Sequence, residues 1–496
     1  MKFNRKLAAV LLTLLLTVSM SGCTLVNVNA DKDNAQVIAT MDGQDILKSE
    51  YNNYMALTEI SYKANSTSMP TGSNLTSLKQ QVYDSLLQQK ALYLEAKKEK
   101  LTADEASAKS TADSQIKSDK STLGDDAFAK ILTDNNTTEE AFTSWYQNFQ
   151  VESAYATAAL QDYSQKIEKD TKIVLDETVG KVGDTDVSRG EYYYYYIGEE
   201  LTNYMTTGSG LSTDDASVAE TNQTIFDTIA LNEANIQYCE EHNIEITDAA
   251  ITEQQKTLQT TFSYFFSDDS TANSFLQSYY MDKTEYESYQ KQEAKAEAAK
   301  AAIKKQCEED ATYSEYALEK QYVNNPDSYD TSVASAMHIL TTDEDLAKQI
   351  YEEAKNITSK SDFQKLIDKY KDNESISEAT DLGSFDKSTM VSEFSDAVFG
   401  ADNNTVVGPV ETSYGYHVVF VYDKKDGEVQ SLDEVRDEIA ADLKVTNGDE
   451  DYDKLETKLG KELKTDIYDI KTPVQAYAEQ LESDFGLVKY ENRVGI

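Results

Sequence analysis

Val333-Ala-Ser-Ala-Met-His-Ile-Leu340 alternates in the manner of a strand and carries a histidine near its end. Outward from it the pattern changes twice. Leu346, Ile350 and Ala354 keep one helical face. A second helix is expected from Ser361-x-x-Gln364, a capping-box pattern, with Phe363, Leu366, Ile367 and Tyr370 on its apolar side. Asp381-Leu-Gly-Ser-Phe385 reads as a turn and Met390 to Phe399 as a helix. Val406-Val-Gly-Pro-Val410 reads as a short strand broken by Pro409. Thr412-Ser-Tyr-Gly-Tyr-His-Val-Val-Phe-Val-Tyr422 is a turn feeding a buried strand. Of the three histidines in the chain, His338 and His417 fall in this segment.

Over its whole length the segment resembles the parvulin-type peptidyl-prolyl isomerases. The five motifs that carry the resemblance stand in order. They are His338-Ile339-Leu340, Asp381-Leu382-Gly383-x-Phe385, Met390-x-x-x-Phe394, Gly408-Pro409-Val410 and Gly415-Tyr416-His417-Val418-Val419. The resemblance implies a small α+β domain with a four-stranded antiparallel sheet wrapped by helices. It also implies that His338 and His417 face each other beneath the active site and orient their neighbours through hydrogen bonds. Thr412 would join that histidine network. Leu382, Met390 and Phe394 would form the apolar pocket for the proline ring. The family's polar residue, eight positions before Asp381, is Asn373 here, with Asp372 beside it, and Thr380 replaces the usual glycine before Asp381. The loop Thr341-Thr-Asp-Glu-Asp345 has no basic cluster, which argues against phosphorylated substrates. No cofactor is implied.

Between about Val37 and Ser328 one helical pattern occurs twice. Ile38-Ala-Thr-Met-Asp-Gly-Gln-Asp-Ile-Leu-Lys-Ser-Glu-Tyr51 matches Val179-Gly-Lys-Val-Gly-Asp-Thr-Asp-Val-Ser-Arg-Gly-Glu-Tyr192, each a short strand, a turn and a polar helix start. Val82-Tyr-Asp-Ser-Leu86 matches Ile225-Phe-Asp-Thr-Ile229, and the stretch from Phe128 to Glu140 matches that from Phe275 to Glu285. Thr102-x-x-Glu105 and Thr137-x-x-Glu140 are expected to cap new helices. The arrangement resembles the chaperone region of SurA and PrsA-type foldases. Met41-x-Gly43-x-x-Ile46-x-x-x-Glu50-Tyr51 carries the opening motif, and Ile244-Glu-Ile246-Thr-Asp248 the later one. In the second copy Gly183 comes one position early. Tyr192 to Tyr196 run uninterrupted, so on a helix some must face away from the core. That suits either promiscuous binding of clients or simple core packing.

Lys2, Arg5 and Lys6 precede an apolar run from Leu7 to Val18, too short for a spanning helix and fit for a secretory leader. It ends at Met20-Ser21-Gly22-Cys23, which resembles a bacterial lipobox with Cys23 as the lipidated residue. The formal charge of −43 repels phosphate backbones, so nucleic-acid binding is excluded as a role. Cys239 and Cys307 either pair as a disulfide or sit as small buried hydrophobes. No cysteine or histidine cluster has metal-ligand spacing, and His242 has no acid-base partner, which fits a solvated surface residue.

The expected fold class is multidomain α+β, a mainly helical SurA/PrsA-like chaperone region plus one parvulin domain. The expected order is a lipoprotein leader over 1–22, a tether over 23–36, helical repeats over 37–175 and 176–328, and the isomerase domain over 329–424. A helical segment over 425–496 returns to the chaperone region, with an exposed acidic loop from Asn447 to Asp453. The implied activity is cis/trans isomerisation of X–Pro bonds on unfolded exported proteins, at the outer face of a bacterial membrane to which Cys23 lipid tethers the chain. A homodimer is compatible with this. The rival reading is a non-enzymatic client-binding lipoprotein with a degenerate parvulin fold.

Overall fold

The computed structural model describes residues 30–266 and 268–496. The leader and Cys23 lie outside the described residues. Ten strands are present among the latter: β1 (Val37–Met41), β2 (Gln44–Leu47), β3 (Thr178–Val182), β4 (Thr185–Ser188) and β5 (Val333–Thr341). They continue as β6 (Ile376–Asp386), β7 (Thr405–Thr412), β8 (Gly415–Lys425), β9 (Thr465–Ile467) and β10 (Val488–Lys489). The rest is mostly helical. Two compact units form: one joins the described part of Met1–Ile229 to Gln259–Gln290 and Lys464–Ile496, the other joins Ala230–Leu258 to Lys291–Leu463.

In the first unit the repeated pattern folds as two matching hairpins. β1–β2 and β3–β4 have equal lengths, the same alternation of burial, and a bulge at the same place, after Val37 and after Thr178. The early glycine of the second copy is accommodated by the turn. Asp42 and Gly43 both take positive φ in the first loop, whereas in the second Gly183 does. Each hairpin then gains a third strand from the chain's far end, β10 beside β1 and β9 beside β3.

Helix Ser73–Lys98 packs on helix Glu139–Lys169, burying Tyr83, Leu86, Leu87, Ala91 and Ala159 with Ile38 and Ile46 of the hairpin. None of Tyr192 to Tyr196 is fully exposed, and three of the five are half-buried. Their helix, Arg189–Thr207, is covered on more than one side: Tyr193 and Tyr196 meet Tyr279, and Tyr194 meets Tyr286.

Helix caps fall near the expected places but on neighbouring residues. Asp104, Thr138 and Ser359 accept the first-turn amides, because each is a good cap one or two residues from the one the pattern pointed to. Ser431 and Glu434 form the reciprocal capping box.

In the second unit the stretch from Asn447 to Asp453 is not a loop. It lies inside helix Leu432–Leu459, with Tyr452 buried and the Asn447 amide donating to the Thr312 carbonyl. Gly448 lets this helix touch helix Lys283–Asp310: a Cβ there would lie 2.5 Å from Glu308 Cα. Cys239 and Cys307 are both free; they belong to one apolar cluster with Ala299, Ile303 and Tyr452. His242 is exposed and stacks on Tyr238.

The four-stranded antiparallel sheet of this unit runs in the order β6-β5-β8-β7. One face carries Met337, Ile339, Val418 and Phe420, covered by helices Glu344–Ala354 and Lys360–Tyr370 through Ile350, Phe363 and Ile367. The other carries Ala336, Val419 and Val421, covered by helix Ser392–Phe399 through Phe394 and Val398. Asp381 to Phe385 is not a turn but part of β6. Leu382 is the extra residue of a bulge there, since Ala336 pairs with Gly383 and Met337 with Asp381, while Gly383 takes a φ of 69°. β7 continues through Gly408-Pro409, also with a bulge.

Candidate active site

Antiparallel pairing puts opposite residues on one face of a sheet, so register decides what gathers here. His338 on β5 pairs with Val419 of β8 and Thr380 of β6; Leu340 pairs with His417 and Glu378. The two histidines therefore lie diagonally across neighbouring strands on the Phe394 face, with their Nδ1 atoms 3.1 Å apart. Both are almost fully buried, at 4% and 6% exposure. Thr412, at the end of β7, brings Oγ1 to 3.0 Å from His417 Nε2 and accepts the Tyr414 amide.

Burial pushes both imidazoles down to about 4, and for His417 the neighbouring His338 adds to the effect. At neutral pH the pair is uncharged. It cannot act as a strong acid or base, but it can hold a fixed chain of hydrogen bonds.

Above the pair sits the apolar wall. Phe394, 2% exposed, meets both imidazoles in T-shaped contacts, with centroid distances of 5.1 Å to His417 and 6.1 Å to His338. Leu382 and Met390 are partly buried against the same cluster. The β6 bulge and the segment before helix Ser392–Phe399 thus bring the three pocket candidates together.

Asn373 is not brought to this group. It is exposed in the turn before β6, where its Oδ1 accepts the Ser375 amide. β6 pairs with β5 from Ile376 onward, with a register shift after it that sets Glu378 opposite Leu340, so Glu378 is an acidic side chain that comes near the histidines instead. Its Oε2 lies 3.5 Å from His338 Nε2, a buried atom that has no hydrogen-bond partner among the described residues. Counting back from Asp381 missed this residue. The signal that could have found it was register: two residues before the partner of His338.

The fold and this constellation define a class. Residues 313–437 match the PPIC-type PPIASE domain and residues 1–149 the SurA-like N-terminal domain, so the chain combines these two domain types. Similar curated proteins include the foldase protein PrsA of Geobacillus kaustophilus, 36% identical over 33% of this chain and 57% of that protein. Foldase protein PrsA 3 of Bacillus cereus is 38% identical over 21% of this chain and 36% of its own length. The chain thus spans about half or less of those relatives. Among solved structures, a peptidylprolyl isomerase PrsA from Bacillus anthracis is 21% identical with a TM-score of 0.25, over 48% of this chain and 95% of that one. A SurA-like chaperone structure from Campylobacter jejuni is 21% identical with a TM-score of 0.19, over 57% and 96%. Among the described residues no helix is long and apolar enough to cross a membrane.

Proposed function

We propose that this chain is a lipid-anchored extracytoplasmic foldase that binds unfolded exported proteins and isomerises their X–Pro bonds. The observation that carries the reading is the neutral His338–His417–Thr412 chain lying beneath the apolar group of Leu382, Met390 and Phe394. Rotation about X–Pro is opposed by amide resonance, a barrier of about 18–20 kcal/mol for the peptide bond. A dry pocket that takes the proline ring and favours the twisted amide lowers that barrier without acid or base, by binding the transition state more tightly than either planar isomer. In this reading residues 329–424 are the isomerase domain. The repeats over 37–175 and 176–328, with 425–496 returning to them, hold client segments by apolar contact. Exposed Tyr204, Met205 and Tyr264 in the first unit offer such contacts. Cys23 carries the lipid, and a homodimer is compatible with the assembly.

The test is proline-limited refolding of a model protein by the chain from residue 23 onward, beside its Met390→Ala variant. Acceleration that Met390→Ala abolishes is the expected result. No acceleration from a folded sample would leave a chaperone without isomerase activity. In cells, Cys23→Ala should release the protein from the membrane fraction; retention would remove the lipid anchor from the proposal.

A further inference from the structure

Each strand of the second unit's sheet supplies one polar side chain to a single line: Thr412 from β7, His417 from β8, His338 from β5 and Glu378 from β6. The protons on this line are constrained. Two neutral imidazoles whose Nδ1 atoms face each other must be in opposite tautomers, one donating and one accepting. Two orders satisfy this. In the first, Thr412 Oγ1–H donates to His417 Nε2, His417 Nδ1–H donates to His338 Nδ1, and His338 Nε2 carries the remaining proton. In the second every bond reverses. Thr412 Oγ1–H then turns to the Gly415 carbonyl, 3.3 Å away, and His338 Nε2 presents a bare lone pair.

Glu378 separates the two orders. An ionised carboxylate only accepts, so it attracts Nε2–H and repels an Nε2 lone pair. The repulsion matters because His338 is buried and, among the described residues, Nε2 has no other partner to screen it. The side chain of Glu378 is about half exposed and so free to close the 3.5 Å gap by a change of rotamer.

We infer that Glu378 is a positioning residue: it fixes the direction of hydrogen bonding through His338 and His417, so that the Thr412 hydroxyl is held as a donor to His417. It touches no substrate and acts through His338. As a role in isomerisation this rests on the function proposed above, whereas the proton order itself does not.

The chain has three histidines, so [15N]histidine labelling of the whole protein gives three ring systems, and His242 is exposed. His338→Gln and His417→Gln assign the other two. The expected pattern is a protonated Nε2 on His338 and a protonated Nδ1 on His417. Glu378→Ala should mix the tautomers, Glu378→Lys should reverse them by presenting a donor, and Glu378→Asp should keep the parent order. Amide protection of β5 and β8 serves as the check that each variant is folded. An unchanged pattern in folded Ala and Lys variants would overturn the assignment, as would the reverse pattern in the parent protein. In the refolding assay kcat should fall in the Lys variant and recover in the Asp variant with KM unchanged. A rise in KM alone would instead make Glu378 a substrate contact. Because the tautomers are read without turnover, an inactive parent would count against the proposed function and leave the proton order standing.

Discussion

Phe394 presents its edge to His417, with ring centroids 5.1 Å apart and 69° between the planes, and it is 2% exposed while Met390 beside it is only partly buried. The two pocket residues should therefore separate stability from activity. Phe394→Ala empties a buried ring and should cost about 3–5 kcal/mol. Met390→Ala removes a half-buried side chain and should cost about 1 kcal/mol while removing most isomerisation. Hydrogen exchange in β5 and β8 reads the first quantity and refolding assays the second. Equal destabilisation by both variants would contradict this placement of the wall.

The buried histidine pair sets a pH dependence with a definite sign. Both folded-state values lie at about 4, below the ordinary value of about 6.5. The unfolded chain thus takes up protons first as the pH drops. The pair's contribution to stability is complete above about pH 6.5 and is lost as the pH falls toward 4, at up to about 1.4 kcal/mol per pH unit for each proton. Carboxylates also begin to titrate near the lower end of that window, so the measurement is a difference. The stability of the parent relative to His417→Gln, followed by exchange in β5 and β8, should shrink between pH 6.5 and 5. A constant difference would mean that the imidazoles are not held neutral.

Gly448 lets the acidic, polar helix Leu432–Leu459 lie close against helix Lys283–Asp310. An alanine Cβ there would stand 2.5 Å from Glu308 Cα and 2.7 Å from its nitrogen, both backbone atoms that cannot swing aside. Overpacking of this kind costs about 1–3 kcal/mol, more than the roughly 1 kcal/mol that alanine gains over glycine in a helix. Gly448→Ala should speed amide exchange in helix Leu432–Leu459. Gly460→Ala, whose Cβ would meet only the Glu456 carbonyl at 3.5 Å, should not. Faster exchange in both, or in neither, would argue against helix contact at Gly448.

The parts of the fold that the sequence revealed are those set by local pattern. Strand β5, the helices around Ile350 and Phe363, and the doubled hairpin entrances all follow from periodicity and turn residues over a few positions. The parts it hid depend on partners far along the chain. Five tyrosines in a row cover every face of a helix, and it is Tyr279 and Tyr286, far along the chain, that keep any of them from full exposure. The stretch from Asn447 to Asp453 has the composition of a loop, and its helical contacts, with Glu308 at Gly448 and Thr312 at Asn447, lie more than a hundred residues away in sequence. The site divides the same way. His338, His417, Thr412, Leu382, Met390 and Phe394 were visible through short motifs and do converge. Asn373 holds the motif's place along the chain, eight positions before Asp381, whereas β6 pairs with β5 in a register that puts Glu378 beside His338.

The two hairpin copies differ at one position in a way that can be tested. Ala39 of β1 corresponds to Gly180 of β3, and Tyr83 to Phe226. In the first copy the Tyr83 hydroxyl donates to the Ile38 carbonyl, and its ring stands off far enough for the Ala39 methyl to be fully buried. Phe226 has no hydroxyl to satisfy and lies closer to its strand. A Cβ at Gly180 would be 2.4 Å from the Phe226 ring and 2.6 Å from the Asp466 carbonyl of β9. Gly180→Ala should therefore cost about 1–3 kcal/mol and loosen β9, visible as faster exchange at residues 465–467. Ala39→Gly in the first copy should cost only about 0.5–1 kcal/mol, from backbone entropy. Replacing Phe226 by leucine in the Gly180→Ala background should recover part of the loss, because the clash with the ring is then relieved. If Gly180→Ala were as stable as the parent, the close approach of Phe226 would not be what distinguishes the second copy from the first.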